Sequence, residues 1–148
     1  MARLGTDLIA ALRTTATRLR AGADYEWGHA GACNCGHLAQ TVTGLDRAAI
    51  YRQVGGEWND YLHEHCPVTG DRVEDVATVM IRFGFEPSEL AALELLSDDE
   101  VLRQLPGGHR WLARNEREDV VAYLEAWADL LERRKRDEND ARAAAKVA

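Results

Sequence analysis

The sequence is short of the residues that several folds and several functions require. It has only three cysteines, an odd number that favours free thiols or metal ligands over a framework of structural disulfides. Three prolines and no stretch dense in Pro, Gly or Ser leave no linker at which to divide the chain. No internal repeat is visible. Alternating β-branched runs bounded by turn dipeptides, the mark of strands, are missing, and no apolar run is long enough to span a bilayer. Positive charge is in deficit as well. Lys and Arg number 18 against 25 Asp and Glu, a formal charge of −7, and such a field repels phosphate backbones and anionic membranes. Neither nucleic acid nor a membrane is an expected partner. Charges interrupt the N-terminal segment too often for a signal-peptide core, and Asp7 interrupts what is otherwise an Arg- and Thr-rich start, so a cytoplasmic location is expected.

What is present is helical periodicity. With 148 residues, 46% hydrophobic and 29% charged, the chain suits one globular domain over 1–148, able to bury roughly 68–70% of its unfolded surface without help from a metal. Leu4, Leu8, Leu12, Thr15 and Leu19 share one face of a helix over 4–21, stopped by Gly22. Leu38, Ala39, Val42 and Leu45 outline a short helix ending near Gly44, and Asp46 to Val54 forms another. "EWNDYLHEHCP" reads as one more, ended at Pro67. Asp71 with Glu74, Ser97 with Glu100 and Asn115 with Glu118 have capping-box spacing, and Pro87 suits a first helical position. Val120, Leu124, Trp127 and Leu131 carry the last helix to about residue 135, with 137–148 a tail that frays or extends it. The expected class is therefore all-α: a compact single-domain bundle of about six or seven short helices with a long C-terminal amphipathic helix.

The chemistry is concentrated in "GHAGACNCGH" and "HEHCP". Seven of the eight Cys and His residues (His29, Cys33, Cys35, His37, His63, His65 and Cys66) lie between positions 29 and 66, where even scattering puts about two. Thiolate sulfur and imidazole nitrogen are the donors that Zn or Fe takes in compact, often tetrahedral sets. The expectation is a metal site between 28–37 and 59–66, with Cys33, His37, Cys35, Cys66, His29 and His63 as candidate ligands and a structural or regulatory ion favoured. In a regular helix Cys33 and His37, four apart, share a face, whereas Cys33 and Cys35 point about 200° apart. Cys35 then falls on the buried side with Leu38 and Ala39. If the helix starts only near Gly36, both thiols belong to a glycine-rich loop and face one point.

Blander readings stand beside this one. Cysteine is a common core residue, and incidental histidines are frequent. A thiol redox sensor is another, and Cys33–His37 or Cys66–His63 has the form of a nucleophile and base. Glu26–His29 and Asp60–His63 each set a carboxylate three residues before a histidine, as in di-iron bundles, although glycine interrupts the first. Trp27 and Trp58 flank the cluster and are placed to keep water from it. A metal-free interaction module, docking a protein partner or a second copy through the C-terminal helix, is the remaining alternative. "ERRKR" at 132–136 reads as a solvated helix end.

Overall fold

Apolar residues spaced by three and four put Leu8, Leu12, Ala16 and Leu19 on one buried face, and the backbone forms helix α1, Thr6–Arg20. The computed structural model describes residues 6–55, 58, 61 and 76–147; seven helices run through them, and no strand occurs among the described residues. After α1 come α2 (Asn34–Thr43), α3 (Arg47–Val54), α4 (Val76–Phe83), α5 (Pro87–Leu95), α6 (Asp99–Leu102) and the 31-residue α7 (Arg117–Val147). Trp58 and Tyr61, between α3 and α4, are also helical and buried. The all-α architecture with its long last helix is as expected. His63, His65, Cys66 and the Asp71–Glu74 box lie outside the described residues.

Local chemistry explains most boundaries. Gly44 ends α2 in left-handed backbone, φ 76°, with its N–H on the Gln40 carbonyl. Asp46 opens α3 by accepting the Ala49 N–H at 2.9 Å. Pro87 is the first residue of α5, and the Glu89 carboxylate reaches back to the Glu86 N–H at 2.9 Å. The start of α6 differs from expectation. Asp98, not Ser97, caps α6, because Leu96 turns left-handed (φ 51°) and the Ser97 N–H bonds back to the Ala92 carbonyl, making Ser97 part of the end of α5. Helix α7 runs on to Val147, so that the tail after 135 extends the helix, one of the two outcomes expected of it. Its last turns are alanine-rich, the best helix formers, and a Glu138–Arg142 pair four residues apart braces them.

Helix α1 packs antiparallel along the first half of α7. Leu12, Ala16 and Leu19 belong to one continuous core with Val120, Leu124 and Leu131, while Tyr123 and Phe85 meet the Trp127 ring edge-on with centroids 6.4 and 5.5 Å away. At the rim Arg20 meets Glu125 at 2.8 Å, and Arg13 reaches Glu125, Asp129 and Glu132. These pairs are partly exposed to solvent, so they orient the helices more than they stabilise them. Helix α2 is threaded through the middle, against α1, α3, α4 and α5, and its first six residues are buried.

Candidate functional site

The segment leading into α2 is a loop held by its own backbone. Glu26 N–H bonds to the Ala32 carbonyl at 3.0 Å, and both Ala32 and Cys33 N–H bond to the His29 carbonyl at 2.9 Å. Side chains from outside tie it down. Trp58 Nε1–H donates to the Ala30 carbonyl at 2.8 Å, the Gln40 amide donates to the Gly31 carbonyl at 2.6 Å, and Arg47 pairs with Glu26 at 3.2 Å. Two glycines make the packing feasible. A Cβ on Gly31 falls 1.9 Å from the Arg47 carbonyl oxygen, and one on Gly36 falls 2.4 Å from that of Ala30. Only glycine lets the loop lie this close to α2 and α3.

The loop sends the candidate ligands in different directions. Cys33 is not helical: it is the N-cap of α2, with extended backbone. His37, one turn into the helix, points away toward α1. Its Nε2 lies 2.6 Å from the Asp24 carbonyl and its Nδ1 3.0 Å from Arg18 Nη2, while Arg18 also donates to Gln40 and Thr41. A carbonyl only accepts and a guanidinium only donates, so His37 is the neutral tautomer with its proton on Nε2. Burial holds its pKa below the usual histidine range, and the neighbouring Arg18 adds to the effect. Cys35, fully buried, lies 3.4 Å from the Leu90 carbonyl, on the side of Leu38 and Ala39. Burial pushes its thiol well above the ordinary range. Both side chains spend their polar capacity on the protein, as core-joining groups do.

Cys33 and His29 instead share a cavity of about 270 Å³, walled by Trp27, Gly28, Ala30, Asn34, Tyr51, Gly55, Trp58, Glu94 and Arg114. Imidazole and phenol of His29 and Tyr51 lie 4.5 Å apart, and His29 Nδ1 accepts the Gly31 N–H at 3.0 Å. Arg114 sits over the Trp27 indole, 5.1 Å from its centroid, a cation–π contact at the mouth. Asn34 fastens the floor: its amide donates to the Leu93 and Glu94 carbonyls at 2.7 and 3.0 Å, satisfying the C-terminal end of α5. One Glu94 carboxylate oxygen is fully buried. Cys33 Sγ faces the first turn of α2, where the Gly36 and Cys35 N–H groups favour a thiolate, yet burial outweighs them and pushes the thiol up to about 11. At neutral pH it is a thiol, not a ready nucleophile.

Asn34, Tyr51, Glu94 and Arg114 carry no spacing signal that links them to the cysteines, and the only local hint is the acidic Glu94 inside the apolar run "LAALELL". Glu26, three residues before His29, is in a loop and paired to Arg47, not on a helix as a di-iron motif requires. Among the described residues no three His, Cys, Asp or Glu side chains converge to hold a metal, and no helix is long and apolar enough to cross a membrane. Comparison with family models, with curated proteins and with solved structures gives no match.

Proposed function

We propose that this chain is a small-ligand binding protein whose site is the cavity between the 26–33 loop, α3, Trp58 and the end of α5. The observation that supports it is the rigidity of the framing. Two glycines with no room for a Cβ, and hydrogen bonds from Trp58 and Gln40, hold four aromatic rings, a thiol and two opposite charges around a preformed hollow. Aromatic walls with convergent polar groups are common in ligand sites. The test is a thermal-shift and calorimetric screen of small probes, the neutral aromatic indole among them, on the parent and on Tyr51→Ala. Tyr51 is 44% exposed, so its loss leaves the core intact. Saturable binding weakened by that change is the expected result. No binding of any probe at millimolar concentration, or binding indifferent to Tyr51→Ala, overturns the reading.

A second reading keeps the expected metal. It is favoured by Cys33, which faces the cavity beside N–H groups that suit a thiolate and lies across it from Trp58, five residues before His63 and eight before Cys66 in the chain. On this reading Zn or Fe takes Cys33, with Cys66 and His63 as further donors, and displaces the thiol proton that burial otherwise retains. Ligation by His29 through Nε2 moves its proton to Nδ1 and costs the Gly31 hydrogen bond. Elemental analysis of protein purified without added metal decides it. The expected pattern is loss of metal in Cys33→Ser and Cys66→Ser with retention in Cys35→Ser and His37→Gln. A metal-free parent, or unchanged occupancy in Cys33→Ser, sinks it.

A further inference from the structure

Polar groups on the cavity wall divide into acceptors that the protein already uses and donors that it does not. The Ala30 carbonyl takes the Trp58 Nε1–H, the Cys33 carbonyl takes the His37 N–H, Asn34 Oδ1 takes the Cys35 N–H, and the Glu94 carbonyl takes the Asn34 amide. Donors are left over. His29 Nδ1 accepts the Gly31 N–H at 3.0 Å, which leaves the ring proton on Nε2. Among the described residues nothing accepts from that Nε2–H, from the Tyr51 hydroxyl, from the Trp27 Nε1–H or from the Arg114 guanidinium, and all four residues line the cavity. Nor does Arg114 have an acidic partner among them. Its guanidinium lies over the Trp27 indole, 5.1 Å from the centroid, and its carbonyl is pinned by the Tyr25 hydroxyl. Glu94, the one acid on the wall, is itself engaged within the protein. Cys33 adds no charge at neutral pH, since burial pushes its thiol up to about 11.

We infer that the ligand is a small aromatic carboxylate, its anion taken by the Arg114 guanidinium and its ring by the aromatic residues of the wall. The inference rests on the binding reading above and specifies its chemistry. A ligand that expels water from the cavity has to replace the acceptors these donors lose, and a carboxylate is the richest small source of them. An ammonium brings only donors and is repelled by the guanidinium. A neutral ring fills the space but leaves the donors unserved. Stacking on indole leaves the in-plane edge of a guanidinium open, so a pre-oriented fork grips two carboxylate oxygens at little entropic cost. The formal charge of −7 opposes an anion at long range. Attraction is therefore local, and Arg114 is the one guanidinium among the lining residues. At about 270 Å³ the cavity lies just below the range of drug-sized sites, which begins at about 300 Å³. That size suits a one-ring acid better than a nucleotide.

The experiment is calorimetry of the full chain with benzoate, benzamide and benzylamine, which share one ring and differ in charge, and with indole as a second neutral probe. Expected is saturable binding of benzoate, about tenfold or more tighter than that of benzamide, with benzylamine weakest. Arg114→Met is expected to remove that preference, bringing benzoate to about the level of benzamide while benzamide itself changes little. Arg114 is partly exposed and lies outside the core, so the variant keeps the fold. The ratio of benzoate to benzamide in the parent needs no variant at all. If indole or benzamide binds and benzoate binds no tighter, the carboxylate is overturned and the binding site stands. If no probe binds at millimolar concentration, both fail. A preference for benzoate that persists in Arg114→Met, or tighter binding of benzylamine, also overturns the inference.

Discussion

His37 donates its Nε2–H to the carbonyl of Asp24 across 2.6 Å, at the junction of α1, α2 and the loop that frames the cavity. With Arg18 donating to the other ring nitrogen, this imidazole is a two-ended strut. A proton added at Nδ1 has no acceptor there and faces a guanidinium.

The pH dependence follows. Burial first, and the Arg18 charge after it, hold His37 below the usual histidine range in the folded protein. The unfolded chain therefore binds the proton first. Stability is full above the unfolded value of about 6.5 and is lost as pH falls from there toward the depressed folded value. Thermal unfolding between pH 7.5 and 5 is expected to show this loss, and His37→Gln, although less stable at neutral pH, to show a flatter slope. Equal slopes in the two proteins contradict the assignment.

Gly31→Ala is expected to destabilise by about 3 kcal/mol, the upper end of overpacking costs, because the new Cβ meets the Arg47 carbonyl at 1.9 Å and backbone does not yield cheaply. Gly107→Ala provides the contrast. There the left-handed backbone, φ 87°, costs about 1–2 kcal/mol while nothing lies within 4 Å. Denaturant melts of both, with indole binding as a second readout, separate a local strain from a collapse of the cavity frame. Only Gly31→Ala is expected to abolish binding.

Trp58→Phe keeps a ring in the core but removes the donor to the Ala30 carbonyl. Leaving a buried acceptor without that bond costs about 1–3 kcal/mol. The loop should loosen with it, so amide exchange over residues 28–33 is expected to quicken more than exchange in α7. Uniform acceleration across the chain speaks against a specific tie.

Thiol chemistry gives the fourth prediction. With Cys33 pushed up to about 11 by burial, alkylation at that site is expected to climb about tenfold per pH unit from 7 to 10 without levelling near 8.5, where a free thiol does. Cys35, fully buried with its thiol against the Leu90 carbonyl, is expected to react only as fast as the protein unfolds. Site-resolved mass spectrometry reads both rates. A plateau for Cys33 near pH 8.5 means the thiol is solvated.

The helices themselves were legible because their signals are local. Leu8, Leu12 and Leu19 declare a face within three turns, and Gly44, Asp46 and Pro87 punctuate their neighbours by the conformation or hydrogen bond each prefers. The ligand geometry was not. Sharing a face requires both residues to be helical, and Cys33 as N-cap falls outside the rule that pairs it with His37. Of the two placements the sequence left open for Cys35, the buried one with Leu38 and Ala39 is found, since residues 35 to 39 are helical and obey that rule.

The sequence by itself determined the helical class of the chain and the faces that its first and last helices bury, since each depends on residues a few positions apart. Only the tertiary structure decided that His37 is spent on Arg18 and Asp24, and that Cys33 and His29 look onto a cavity completed by Tyr51, Glu94 and Arg114. Those three arrive from distant parts of the chain, brought there by the packing of α3, α5 and the 103–116 loop. Their meeting is a property of docking surfaces, which no local spacing records.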